Sequence, residues 1–225
     1  MLRVPGSPVP PLWGKLLQAL VQPLAPSLCV GCSAHAGSAE PLCRRCRGEL
    51  RWLGPDLASA CGVEVWAPLA YEGPARAIVK ALKFGRLPRL AETMAAQVAA
   101  NAPPHALAAG TLVPVPLHPA RLRRRGYNQA EQLASALAAR TGVPLADCLE
   151  RLGDRGTQVG RDRRARLRGI SGSVRMRRGA DVPAAAVLID DVATTGATLA
   201  ACAEALRSAG TRRVTAITYA RTLGR

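Results

Sequence analysis

The stretch Val187-Leu-Ile-Asp-Asp-Val-Ala-Thr-Thr-Gly-Ala-Thr198 restricts the fold more than any other part of this 225-residue chain. Val187 to Ile189 is a short unbroken apolar run, the pattern of a strand covered on both faces in a parallel sheet. Ala197 to Ala209 then carries helical periodicity and stops at Gly210. A strand feeding a helix through a tight Thr/Gly loop is half of a βαβ unit. The small residues between them leave the backbone N–H groups of about Ala193 to Thr198 free to wrap an anion, and the positive end of the helix points at the same spot. A phosphate suits that cradle, and a cis-diol suits the paired carboxylates of Asp190 and Asp191. The bland alternative is a strand ending in two solvated aspartates before an ordinary helix cap. Neighbouring carboxylates repel, however, and a simple cap has no need of Thr-Thr-Gly-x-Thr.

These residues resemble the phosphoribosyl pyrophosphate (PRPP) motif of type I phosphoribosyltransferases. The resemblance implies that Asp190 and Asp191 hydrogen-bond the ribose hydroxyls. It also implies that the loop of Val192, Ala193, Thr194, Thr195, Gly196, Ala197 and Thr198 binds the 5′-phosphate. In purine-salvage members an Asp implicated in base chemistry lies near the position of Thr194, and its absence argues against that base specificity.

Elsewhere strands and helices alternate. Val63 to Leu69 is expected to be a strand, Ala75 to Phe84 and Leu90 to Ala100 helices, and Leu112 to Val115 a short buried strand. Asn128 to Arg140 reads as an amphipathic helix ended by Gly142, and Ala184 to Ile189 and Arg213 to Tyr219 as further strands. The expected fold class is therefore α/β, a parallel-sheet core with flanking helices, whose ligand lies beyond the C-terminal ends of the strands.

Near the N-terminus, Cys29-Val-Gly-Cys32 and Cys43-Arg-Arg-Cys46 form two C-x-x-C pairs. Each pair can close on one tetrahedral ion, and the spacer lets both reach it. The expected ligands of a structural Zn²⁺ are Cys29, Cys32, Cys43 and Cys46, with Arg44 and Arg45 helping to keep the thiols ionised. A redox pair or two disulfides are the rivals. His35 is read as a loop residue, Cys202 as a small buried hydrophobe, and Cys61 and Cys148 as structural. Residues 1–55 are expected to form this zinc module with an N-terminal helix over Leu12 to Leu20. Residues 56–225 are expected to form the α/β domain, with the boundary in Leu53-Gly-Pro-Asp56.

The net charge of +16 makes polyanions the expected partners. Arginine supplies nearly all of it, since Lys15, Lys80 and Lys83 are the three lysines. Basic residues cluster in Arg121 to Arg125 and again from Arg151 to Arg168, a Gly-interrupted stretch expected to be a mobile loop. No apolar run approaches the roughly 20 residues of a membrane span, and no leader cleavage site is evident, so a cytoplasmic location is expected.

Several further segments are similar to the ComF family of competence-associated phosphoribosyltransferase-like proteins. They are Val113-Pro-Val-Pro-Leu-His-Pro119, Arg125-Gly-Tyr-Asn-Gln129, Gln158-x-Gly160 with Arg163 and Arg166, and Lys80-x-x-Lys83-Phe84-Gly85. The paired cysteines belong to the same pattern, although many members carry a second Cys-x-x-Cys-Gly where this chain has Cys61-Gly62 alone. The resemblance implies a type I phosphoribosyltransferase fold, PRPP with Mg²⁺ as ligand, and transfer of phosphoribosyl to an unidentified nitrogen nucleophile. It implies that Pro116, Leu117 and His118 hold pyrophosphate, that Lys83 and Arg125 also bind substrate, and that Arg161, Arg163 and Arg166 act on the leaving group. It further implies links to single-stranded DNA and to other DNA-uptake proteins. Two other readings stay open: a DNA-binding accessory protein, and a PRPP sensor without turnover.

Overall fold

The structure, a computed structural model, describes residues 28–37, 40–85, 87, 89–107, 110–152 and 173–223. Its core is a six-stranded sheet. The strands are β1 (Ala58–Ala60), β2 (Val63–Trp66), β3 (Leu69–Ala70), β4 (Thr111–Pro114), β7 (Ala185–Ala193) and β8 (Arg213–Arg221). The order is β1-β2-β8-β7-β4, with β3 also paired to β8, and every pairing except the β1–β2 hairpin is parallel. A separate antiparallel pair joins β5 (Leu149–Arg151) to β6 (Val174–Met176).

Strand alternation assigns the sheet's side chains to two cores. Val187, Ile189, Ile217 and Tyr219 face one side, covered by α2 (Gly73–Phe84), α3 (Leu90–Asn101) and α6 (Gln129–Thr141). Ala186, Leu188, Val214 and Ala216 face the other, covered by α7 (Ala197–Ser208). Both faces of a parallel sheet are thus buried, as the unbroken apolar strands require. Fully buried Ile78, Val79 and Leu82 put α2 on the first core, each worth about 1.5–3 kcal/mol of transfer free energy. The cysteine segment joins the same core through Cys29, Leu42, Cys46 and Leu50, with Cys46 carried on α1 (Arg44–Gly48). A short α4 (Pro104–Leu107) follows α3. Among the described residues no helix is long and apolar enough to cross a membrane.

Three departures from the sequence expectations, and one helix for which the sequence reading had no expectation, have physical reasons. The strand expected over Val63 to Leu69 divides into β2 and β3, because Pro68 has no N–H for the ladder and its carbonyl instead accepts from Leu53 N–H at 2.8 Å. The strand expected to end at Ile189 continues to Ala193, because β8 runs alongside it as far as Arg221. The basic run after Pro119 is helical, α5 (Pro119–Arg125). His118 caps its start, accepting from Ala120 N–H at 3.2 Å, and Gly126 ends it in the left-handed region. Arg151 belongs to β5 rather than to a loop. The helix expected over Leu12 to Leu20 and the segment from Arg155 to Arg168 lie outside the described residues.

Candidate functional site

A cavity of about 480 Å³ opens where β7 leaves the sheet core, with Asp190 and Asp191 in its wall. Because β7 continues past them, both carboxylates project from a paired strand and not from a loop. Asp190 Oδ1 accepts the N–H of Asp191 at 2.8 Å. Asp191 is 4% exposed and receives Lys83 Nζ at 2.8 Å on its Oδ1. Burial, together with the neighbouring Asp191, raises the Asp190 carboxyl to about 7, against the opposing pull of Lys83 and Arg151. Burial also pushes Asp191 up, while Lys83 and then Arg125 draw it back.

Beyond Ala193 the chain makes the Thr-Thr-Gly turn. The carbonyl of Ala193 accepts from Thr222 N–H at 3.0 Å, that of Thr194 from Thr222 Oγ1 at 3.3 Å, and that of Thr195 from the Cys61 thiol at 2.9 Å. In a trans peptide the N–H points opposite to the carbonyl. The N–H groups of Thr194, Thr195 and Gly196 therefore turn away from these partners, and residues 192–199 enclose a recess beside Asp190. Gly196 caps α7 at φ +78, and a Cβ there would meet the Ala60 Cβ at 2.6 Å and the Ala60 carbonyl carbon at 2.8 Å. Only glycine satisfies both the left-handed backbone and that approach. Successive N–H groups at the N-terminus of a 12-residue helix make an anion-binding concavity.

The cavity wall is also cationic. Lys83, Arg121, Arg124, Arg125 and Arg151 all line the cavity. The run from Arg125 to Gln129 explains how that wall is held. Arg125 donates to Gln129, which is buried, and its guanidinium lies 5.3 Å from the centroid of the Phe84 ring. Burial lowers the Arg125 pKa, and Asp191 and Tyr127 partly restore it. Gly126 turns the chain, and Tyr127 donates its hydroxyl to the Leu82 carbonyl. Asn128 caps α6 by accepting from Ala130 N–H at 3.2 Å and donates to the Val115 carbonyl at 3.0 Å. Val115 N–H in turn donates to Ile189 O at 2.9 Å, which fixes Pro116 and Leu117 beside Asp190.

The structure thus brings Asp190, Asp191, Val192, Thr194, Thr198, Pro116, Leu117, Lys83 and Arg125 to one cavity. Thr195, Gly196 and Ala197 line the adjoining recess, and Ala193 is buried at its edge. His118 is not in the cavity wall, because its ring is turned back to cap α5. Arg161, Arg163 and Arg166 lie outside the described residues. Tyr71, Phe84, Arg121, Arg124, Asn128 and Gln129 line the cavity without having been assigned to it from sequence. The Lys83-Phe84-Gly85 and Arg125-to-Gln129 motifs were the signal for Phe84, Asn128 and Gln129.

The four thiols of Cys29, Cys32, Cys43 and Cys46 converge, their sulfurs all within 4.8 Å of one another. Cys32 and Cys43 sulfurs stand 3.7 Å apart, close to the ~3.8 Å edge of a tetrahedron with Zn–S bonds of about 2.3 Å. This donor set fits a structural zinc ion, and His35 is not part of it. Burial alone would raise the Cys29 thiol, but the backbone N–H groups of Cys43, Cys32 and Gly31 bring it down to about 6. Burial and the surrounding thiols push Cys46 up. The expected help from Arg45 is largely spent elsewhere, since its Nε pairs with Glu49 Oε1 at 2.8 Å. Gly31 is needed in this turn, where a Cβ would lie 3.1 Å from the Cys46 sulfur.

Compared with models of known protein families, the chain matches none. Among curated proteins it is 29% identical over 206 residues to "Competence protein F" of Haemophilus influenzae, covering 83% of this chain and 87% of that protein. It is 35% identical over 102 residues to "Competence protein ComFC" of Streptococcus pneumoniae, covering 45% of this chain and 44% of that protein.

Proposed function

We propose that this chain, a member of the ComF family, binds PRPP with Mg²⁺ over Asp190 and Asp191 and transfers its phosphoribosyl group to a nitrogen nucleophile, releasing diphosphate. One juxtaposition carries this reading: two carboxylates and five cationic side chains share one cavity, and a run of outward-turned N–H groups at a helix start lines the recess adjoining it. In this reading Asp190 and Asp191 accept hydrogen bonds from the ribose hydroxyls. The Thr194-to-Thr198 turn receives the 5′-phosphate, and Lys83, Arg121, Arg124, Arg125 and Arg151 face the diphosphate. Charge grows on that leaving group as its bond to C1 breaks, so preplaced cations favour the transition state over the ground state.

Mg²⁺ neutralises diphosphate charge when it is bound. Among the described residues the cysteines alone form a cluster dense enough to hold a metal by protein atoms. Mg²⁺ therefore fits this cavity as an ion brought in by the substrate and met by Asp190 and Asp191. We assign Arg161, Arg163 and Arg166 to the leaving group from sequence, and we leave His118 out because it caps α5.

Calorimetry with PRPP and Mg²⁺ tests the binding step. The wild type is expected to bind, and Asp190→Asn with Asp191→Asn to weaken binding by about tenfold or more; equal affinity would sink the assignment. Diphosphate release over a panel of nitrogen nucleophiles separates an enzyme from a sensor that binds without turnover.

The relatives are named competence proteins, which supports a second reading taken with the family resemblance: a role in DNA uptake with single-stranded DNA as partner. Arg121, Arg123 and Arg124 are exposed on α5, while Trp66, one of the chain's few aromatics, is buried. Affinity would then come mainly from phosphate contacts and fall steeply with salt. Gel shifts of an oligonucleotide at two salt concentrations check this, and failure to bind at low salt would remove it.

A further inference from the structure

Arg125 differs from the other arginines of α5. Arg121, Arg123 and Arg124 are exposed, whereas Arg125 is half-buried and gripped from two sides. It donates to the side-chain oxygen of Gln129, and its guanidinium lies 5.3 Å from the centroid of the Phe84 ring. Both contacts are uncharged. Asp191, whose charge reaches Arg125, is already paired with Lys83 at 2.8 Å. No ion pair among the described residues engages Arg125 itself. Gln129 is 2% exposed and opens α6, directly after the Asn128 cap. A buried amide is costly unless its polar atoms are used. Its Nε2 donates to the Tyr127 carbonyl at 3.5 Å, which turns Oε1 toward Arg125. Asn128 fastens the same end of α6 by donating to the Val115 carbonyl at 3.0 Å, next to Pro116 and Leu117 of the cavity wall.

We infer that Gln129 is a positioning residue, an uncharged clamp that holds Arg125 in place for the diphosphate of the ligand without neutralising it. This rests on reading the cavity as a PRPP site. A carboxylate at this position would grip the guanidinium more firmly, but it would pair with the charge that the ligand needs. An apolar side chain would leave the charge intact and the long arginine side chain loose, so that each binding event would have to order it. The glutamine amide avoids both losses. Its oxygen fixes the direction of the guanidinium, and the remaining N–H donors of Arg125 stay open to an anion. The clamp therefore serves the diphosphate end of the ligand. Ribose 5-phosphate lacks that group, so its affinity does not depend on where Arg125 points.

The test is calorimetry of the full chain with PRPP and Mg²⁺, and separately with ribose 5-phosphate. Gln129→Leu should weaken PRPP about three- to tenfold, the effect of one side chain no longer ordered in advance. Gln129→Glu should weaken it about tenfold or more, because the introduced carboxylate pairs with the guanidinium. Both variants should hold ribose 5-phosphate as the wild type does, which a general loss of packing at this buried position would not allow. Gln129→Glu keeps the size of the side chain and its acceptor, so it carries the test if leucine is not tolerated. In an Arg125→Met background, Gln129→Leu should weaken PRPP no further. The inference is overturned if both Gln129 variants bind PRPP like the wild type. It is equally overturned if ribose 5-phosphate weakens in step with PRPP, or if the leucine effect persists undiminished without Arg125. A wild type that fails to bind PRPP would instead bring down the PRPP reading, and the clamp with it.

Discussion

Lys83 Nζ lies 2.8 Å from Asp191 Oδ1 and so ties the last turn of α2 to the end of β7. The two adjacent aspartates are thereby made unequal. Asp191 already has a cation, whereas among the described residues Asp190 is bonded by the backbone donor of its neighbour. In the proposed reading, a ligand hydroxyl would meet one carboxylate with a cation already beside it and one without such a direct partner.

Removing the lysine leaves Asp191 buried and without its cation. Lys83→Met is expected to lower stability by about 1–3 kcal/mol at neutral pH, below the figure for a fully buried pair because the lysine side chain is 25% exposed. Adding Asp191→Asn should restore part of the loss. Urea unfolding of the single and double variants gives the coupling, and strictly additive losses would mean that the contact contributes nothing.

Asp190 sets a pH dependence of definite sign. An unfolded Asp ionises near pH 3.8, but burial and Asp191 keep the folded Asp190 protonated up to about 7. The folded state therefore binds more protons across that window. The stability this group contributes is fully present below the unfolded pKa and is lost as pH rises through the folded one. Urea midpoints from pH 4 to 8 should show Asp190→Asn gaining on the wild type as pH rises. A constant difference across the range would contradict it.

Metal content is the next expectation. Purified protein should carry one zinc ion per chain, and Cys43→Ser should lose it while Cys61→Ser keeps it. Cys29, Leu42 and Cys46 share an apolar core with α2 and α3, so chelation should lower the melting temperature of the whole chain by more than about 5 °C. Elemental analysis and scanning calorimetry with and without chelator check both points.

Much of this architecture was legible in the sequence because period and punctuation agreed. Pro74, Asn128 and Gly142 bracket helices whose apolar faces repeat at helical spacing, and β7 opens on an uninterrupted apolar run from Ala185 to Ile189. What was hidden depends on partners remote in sequence. The end of β7 is set by how far β8 runs beside it, and β5 is strand because Val174-Arg-Met176 lies alongside. The helix α5 buries no residue, so it leaves no apolar pattern to read. In the site the carboxylates and the Thr/Gly turn were visible as a motif. The Gln129 support for Arg125 and the exposure of Phe84 come from packing. The fall in the Cys29 pKa comes from backbone donors, which side-chain spelling does not record.

The close fit of Gly196 against Ala60, and of the Cys61 thiol against the Thr195 carbonyl, has a consequence for how the chain is made. These two segments lie 134 residues apart. The turn that would seat a phosphate can take its final shape only once the β1–β2 hairpin is in place, and contacts of such separation form late. A newly made chain would thus complete this turn only together with the β2–β8 pairing, whose strands are at least as remote in sequence.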